Sequence, residues 1–211
     1  MSTKQINAPA LEAYEAAERL RHEFMLHELN QLIGRKRYSR KAVGSFLSRH
    51  CNSYDRLPAI LDIIECCWLD GKQIFMLLRD QWTGFDNVGV HADKIREILL
   101  EYSADTHHMM DAKDKKAWAK LPDIIKVYRG CYPINRDGLC WSLCQQTAFK
   151  FTGMARYRGD GAPLMLAGTV RRKDAVLKLG RNEKEIVSAL VTITGETTCE
   201  KWEPDKIYAP Q

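Results

Sequence analysis

A chain of 211 residues with 45% hydrophobic and 28% charged residues has an ordinary globular composition. It is sized for one large domain or two small ones and can bury a core without disulfide or metal staples. The net charge of +5 is mild and lies mostly beyond residue 120, which suits a C-terminal module handling an anionic ligand such as a dinucleotide or a nucleic acid.

In chain order, residues 10–33 place Leu11, Tyr14, Ala17, Leu20, Phe24, Leu29 and Leu32 at helical spacing, and Gly34 stops the pattern. A basic run follows, with Arg35, Lys36, Arg37, Arg40 and Lys41 around Tyr38. It reads either as a phosphate-contacting patch or as a solvated helix end. Ser39 is placed to cap a second helix through Val43, Phe46 and Leu47. Residues 57–69 are strongly apolar and end at Asp70-Gly71, residues 72–82 and 91–102 read as further helices, and residues 82–87 read as a loop. The texture changes near residue 120. Residues 124–128 fit a strand, 133–138 are turn-rich, and 143–151 read as a helix. Residues 164–170, 175–179 and 186–193 read as strands. The fold class expected is α+β, with helical residues 1–120 followed by a β-rich domain over residues 121–211.

No stretch approaches the ~18 consecutive apolar residues of a membrane span, so no membrane partner is expected. The N-terminal residues are polar and charged where a signal peptide would be apolar, so a cytoplasmic location is expected. Seven cysteines without a paired CxxC are expected as free, largely buried thiols. Cys140 and Cys144 with His107 and His108 lack finger-like spacing, and no metal is expected.

Three short pieces carry candidate chemistry. In Val127-Tyr128-Arg129-Gly130, an Arg at a strand end can fork onto a phosphate or ribose, and the Gly lets a ligand approach the backbone. In Gly138-Leu139-Cys140-Trp141-Ser142-Leu143, a small hydroxyl precedes a helix carrying Ala148, Phe149 and Phe151. In Arg181-Asn182-Glu183-Lys184-Glu185-Ile186-Val187, two carboxylates lie at i and i+2 where a loop enters a strand, and in extended chain they share a face. Taken singly, these pieces also read as a turn, a helix cap and a solvated charged turn.

Together, in this order, they resemble the Arg–Ser–Glu class of mono-ADP-ribosyltransferases, and more closely its short phage- and prophage-type members. Those carry a Tyr-Arg-Gly strand, a Gly-x-Ser-Trp-Thr segment with Ala and Phe in the next helix, and an Arg-x-Glu-x-Glu-Ile segment. The resemblance spans roughly residues 123–195. Cys140 stands where the first Ser of the Ser-x-Ser/Thr element usually sits, and Ser142 replaces a Thr. Cysteine keeps the size of serine but is a poorer hydrogen-bond donor.

The resemblance implies an ADP-ribosyltransferase-like domain over residues 121–211 that cleaves NAD, its substrate, and passes ADP-ribose to a macromolecular acceptor, protein or nucleic acid. Breaking the nicotinamide–ribose bond builds positive charge on the ribose, as in glycoside hydrolysis. The resemblance gives Glu185 the stabilising role at that ring and Glu183 the handling of the acceptor. It gives Arg129 the NAD phosphate or ribose and Gly130 the nicotinamide amide. Ser142 would position Glu185, and Tyr128 or Trp141 would wall the nicotinamide pocket. The short format suits a toxin or phage effector. Residues 1–120 are left with target recognition, a cover over the NAD site, or docking of an inhibitory partner protein. Two other readings stay open: a degenerate transferase scaffold that binds without chemistry, and an NAD glycohydrolase using water as acceptor.

Overall fold

Where apolar residues recur at helical spacing, the chain does form helices. The computed structural model describes residues 8–34, 39–86, 88–154, 157–180 and 184–201. Arg35, Lys36, Arg37 and Tyr38 of the basic run, and Glu183 with its neighbours Arg181 and Asn182, lie outside the described residues. Contacts divide the chain into two compact units, Met1–Leu69 and Asp70–Gln211.

The first unit contains α1 (Ala8–Gly34), α2 (Arg40–His50) and α3 (Arg56–Cys66). Ser39 opens α2 as its sequence position suggests, its hydroxyl oxygen accepting the Ala42 amide at 3.3 Å. Val43, Phe46 and Leu47 of α2 and Leu57, Ile60 and Ile63 of α3 are buried. In α1 burial is confined to Met25 and Leu29 among the described side chains, while Tyr14, Leu20 and Phe24 are exposed. Arg21 ties α1 to the start of α3 through Asp55 at 2.9 Å.

The second unit begins with α4 (Gly71–Gln81), opened by a capping box in which Asp70 and Gln73 bond each other's backbone. A 3-10 turn at Trp82–Gly84 follows, then α5 (Ala92–Glu101), a 3-10 stretch at Ser103–Met109 and α6 (Ala112–Trp118). The strands are β1 (Ile124–Cys131), β2 (Cys140–Ser142), β3 (Leu164–Arg171), β4 (Val176–Lys178), β5 (Glu185–Val187) and β6 (Thr192–Thr198). They form one antiparallel sheet in the order β4-β5-β2-β1-β3-β6, with α7 (Gln145–Thr152) between β2 and β3. The protein is thus of mixed α+β class. No described helix is long and apolar enough to cross a membrane.

Two expectations change. The division falls between Leu69 and Asp70, not near residue 120, because the helices after Asp70 are bonded to the sheet. The Trp118 indole donates to the Ala175 carbonyl at 3.0 Å, and Asp114 of α6 reaches β4. The run 186–193 is not one strand but two, on opposite sides of the sheet. Between them the Ser188 hydroxyl accepts the Leu190 amide at 3.0 Å and donates to the Asp174 carbonyl at 2.8 Å, which turns the chain.

The attachment of α6 is a buried ion pair. Lys178 Nζ lies 2.9 Å from Asp114 Oδ2 and donates to the Met109 carbonyl at 3.2 Å, while Asp114 Oδ1 accepts the Leu179 amide at 2.9 Å. Both residues are almost fully buried, at 6% and 2% exposure. Removing one partner strands the other charge, at a cost of about 3–5 kcal/mol. Asp114→Ala is therefore expected to lower unfolding free energy in urea by about that amount, and Asp114→Leu combined with Lys178→Met to recover most of it. A loss below about 1 kcal/mol for the single variant would mark the pair as solvated.

Candidate functional site

Three central strands gather the sequence-derived candidates. Ser142 on β2 stands opposite Tyr128 of β1 on one side and Glu185 of β5 on the other, and Glu185 stands opposite Lys178 of β4. Directly opposed residues of antiparallel strands point to one face. Tyr128, Ser142, Glu185 and Lys178 therefore form a single row. Beyond β2 the pairing continues, with the Leu143 amide bonded to the Lys184 carbonyl and the Ser188 amide to the Leu139 carbonyl, each at 3.1 Å. A slip of one residue would turn every one of these side chains to the opposite face.

Glu185 is half-buried. Its Oε2 accepts a hydrogen bond from the Trp82 indole at 2.9 Å, across 103 residues of sequence. Trp82 is only 4% exposed and meets Phe85 edge-on, ring centres 5.9 Å apart. This partner comes from the segment 82–87 expected as a loop, and no local pattern in the sequence links residues so far apart. Immediately before Glu185, Lys184 holds a left-handed backbone (φ 47°), a conformation few non-glycine residues adopt.

Ser142 is buried, and its hydroxyl oxygen accepts the Cys144 amide at 3.0 Å, which bends the chain from β2 into α7. Thr147 hydrogen-bonds the Cys144 thiol and, with the backbone there, holds its pKa below the ordinary value. Burial instead pushes the Cys131 thiol up to about 11. All seven cysteines are free thiols, but only Cys51 and Cys131 are buried; Cys66 is exposed and the others are half-buried, contrary to the expectation of largely buried thiols.

Arg129 follows Tyr128 and leaves the row. Its two terminal nitrogens donate to the carbonyls of Cys140 and Asn135, the latter at 2.9 Å, and its buried Nε has no hydrogen-bond partner among the described residues. The guanidinium thus braces the β1–β2 connection. Gly138 makes room for it, since a Cβ there would run into the guanidinium itself. Gly130 has a packing reason beside the expected ligand approach. A Cβ on it would fall 2.8 Å from the Thr152 methyl and closer still to the Ala148 carbonyl of α7. Trp141 is buried, its indole donating to the Gly138 carbonyl at 3.1 Å.

These residues face a common cleft of about 430 Å³. Tyr128, Arg129, Gly130, Trp141, Ser142 and Glu185 all line it, as do Trp82 and Phe85 from the turn after α4. Arg158 adds positive charge and Asp86 negative charge to its lining, while the Lys178 ammonium is already paired with Asp114. The volume lies within the range of small-molecule and cofactor pockets, about 300–1,000 Å³. Among the described residues no group of three His, Cys, Asp or Glu side chains is arranged to hold a metal ion. Glu183, the second carboxylate of the sequence motif, is outside the described residues.

Comparison with protein-family models, with curated proteins and with solved structures finds no match to this chain.

The brace role of Arg129 has a direct consequence. Lysine keeps the charge but cannot reach two carbonyls with a planar fork. Arg129→Lys is expected to cost about 1–3 kcal/mol of stability. It should also speed hydrogen exchange of the amides over residues 133–140, read by mass spectrometry. Unchanged exchange there would show that the connection stands without the brace.

Proposed function

We propose that this chain is a mono-ADP-ribosyltransferase that cleaves NAD and transfers ADP-ribose to a protein or nucleic-acid acceptor. The observation that supports this most is the shared row of Tyr128, Ser142 and Glu185 on three adjoining strands, open to one cleft beside Arg129. The motif order in the sequence asks for that convergence, and an accidental match of three short segments does not.

In this reading Glu185 sets a carboxylate against the ribose as it becomes oxocarbenium-like, where fixed negative charge lowers the barrier. Ser142, its direct cross-strand neighbour, limits the positions the carboxylate can take. Arg129 acts through position and charge: its terminal nitrogens are committed to carbonyls, so it shapes the cleft and supplies positive potential for the phosphates. Tyr128, in the row with Ser142 and Glu185, offers an aromatic wall to the nicotinamide, and Gly130 brings backbone close to it. Glu183 is assigned the acceptor from the motif alone.

The test is incubation of the full chain with labelled NAD and a cell extract, divided afterwards into protein and nucleic-acid fractions, beside Glu185→Gln. Label that depends on Glu185 is expected in one fraction, which identifies the acceptor class. Nicotinamide release should fall by about 10²–10³ in Glu185→Gln with thermal unfolding unchanged. Wild-type turnover in that variant would remove Glu185 from the mechanism. Glu183→Gln is expected to lose transfer while keeping slow NAD hydrolysis; equal loss of both would contradict the division of roles. Growth arrest on expression that requires Glu185 would support a toxin or phage effector role. The binding-scaffold reading draws on the commitment of Arg129 and Glu185 to protein partners, and absence of both label and nicotinamide release would favour it.

A further inference from the structure

We infer that Trp82 is a positioning residue for Glu185, so that the helical segment before the sheet is part of the site's machinery and not a cover laid over it. This rests on the transferase reading of Glu185.

Four observations converge on the chain that leads into β5. The Trp82 indole donates to Glu185 Oε2 at 2.9 Å. The indole cannot swing aside, because it is 4% exposed and held edge-on by Phe85. Its neighbour Thr83 is pressed against the same connection: its methyl would lie 2.7 Å from a Cβ placed on Gly180. At the other end, the Leu179 amide and the Lys178 ammonium are both bonded to Asp114 of α6. The described ends of the β4–β5 connection are thus gripped at Lys178, Leu179, Gly180 and Glu185 by residues from the helical segment.

The chemistry of the donor fits a positioning role. A carboxylate that must face a developing cation needs a fixed orientation and its full charge. Lysine or arginine would fix it but offset the charge. A neutral indole N–H restrains the carboxylate and leaves it anionic. Across a site where small displacements cost large factors in rate, such a restraint acts on the chemical step and not on ligand affinity.

The experiment is steady-state nicotinamide release from NAD by the full chain, comparing wild type, Trp82→Phe, Glu185→Ala and the double variant. Trp82→Phe is expected to lower kcat about 10- to 100-fold with KM for NAD within about twofold of wild type. In the Glu185→Ala background the same change is expected to do nothing further, since no carboxylate is left to position. Wild-type kcat in Trp82→Phe overturns the assignment. So does a fall confined to KM, or an equal fall in both backgrounds, either of which assigns Trp82 a merely structural or binding role. Should phenylalanine prevent folding, β-(3-benzothienyl)alanine at position 82 keeps the bicyclic shape, removes only the N–H, and is judged by the same outcomes. Absence of nicotinamide release by the wild-type chain overturns the transferase reading itself, and this assignment with it; activity in wild type separates the two failures.

Discussion

Cys140–Ser142 is a strand of only three residues, yet among the described residues it is the one strand that joins β1 and its neighbours to the β4–β5 pair. Every element of the candidate site depends on its register. Three backbone pairs would be a weak specification by themselves, since short strands slip. The surrounding groups make up the difference. Arg129 holds the Cys140 carbonyl from β1, the Trp141 indole holds the Gly138 carbonyl, and the Ser142 hydroxyl takes the Cys144 amide. One lock comes before the strand, one acts on it, and one closes its far end. Shifting β2 by a residue would break the bond from Arg129, while the other two hold the shape of the chain entering and leaving the strand.

Glu185 has a corresponding dependence on the other side of β2. A three-residue strand, β5, carries it, and that strand is preceded by a residue in left-handed backbone. Strain of this kind persists only where the surroundings over-determine it. Asp114 fixes the other described end of the same connection, at Lys178 and Leu179. One carboxylate accepts the Asp111 amide of its own cap, the Lys178 ammonium and the Leu179 amide. Helix start, strand end and the exit toward Glu185 are therefore a single buried polar network, in which each bond fixes the geometry of the next.

The sequence made legible those features whose cause is local. Ser39 caps α2, the apolar run 164–170 is the core of β3, and Asp70-Gly71 ends the apolar run that holds α3, because caps, turns and periodicity act over a few residues. The site was legible as three separate motifs, since residue types and order survive in one dimension. What escaped was set at a distance. Run 186–193 looked continuous because Ser188 turns the chain with a bond to Asp174, which no window around 188 contains. The strand β6 was passed over because its alternation is built on threonines, half-exposed and without an apolar face. Trp82 read as loop because its partner is a carboxylate on the far side of the sequence. The same is true of the unit boundary: composition changes near residue 120, but Trp118 and Asp114 are already bonded to the sheet by then.

Arg129 shows how structure and chemistry can be served by one side chain. Among the described residues no carboxylate lies within ion-pair distance of it; carbonyl dipoles of Cys140 and Asn135 hold its terminal nitrogens, and Nε is buried without a partner. Carbonyls orient a guanidinium but leave its net charge standing. In a part-buried cleft that charge is screened less than at an open surface, so it projects a positive potential onto whatever enters. A buried donor left unmade costs free energy that a suitably placed acceptor would return. The brace that keeps β1 and β2 in register thereby also sets a positive charge on the lining of the cleft, with the Glu185 carboxylate two strands away.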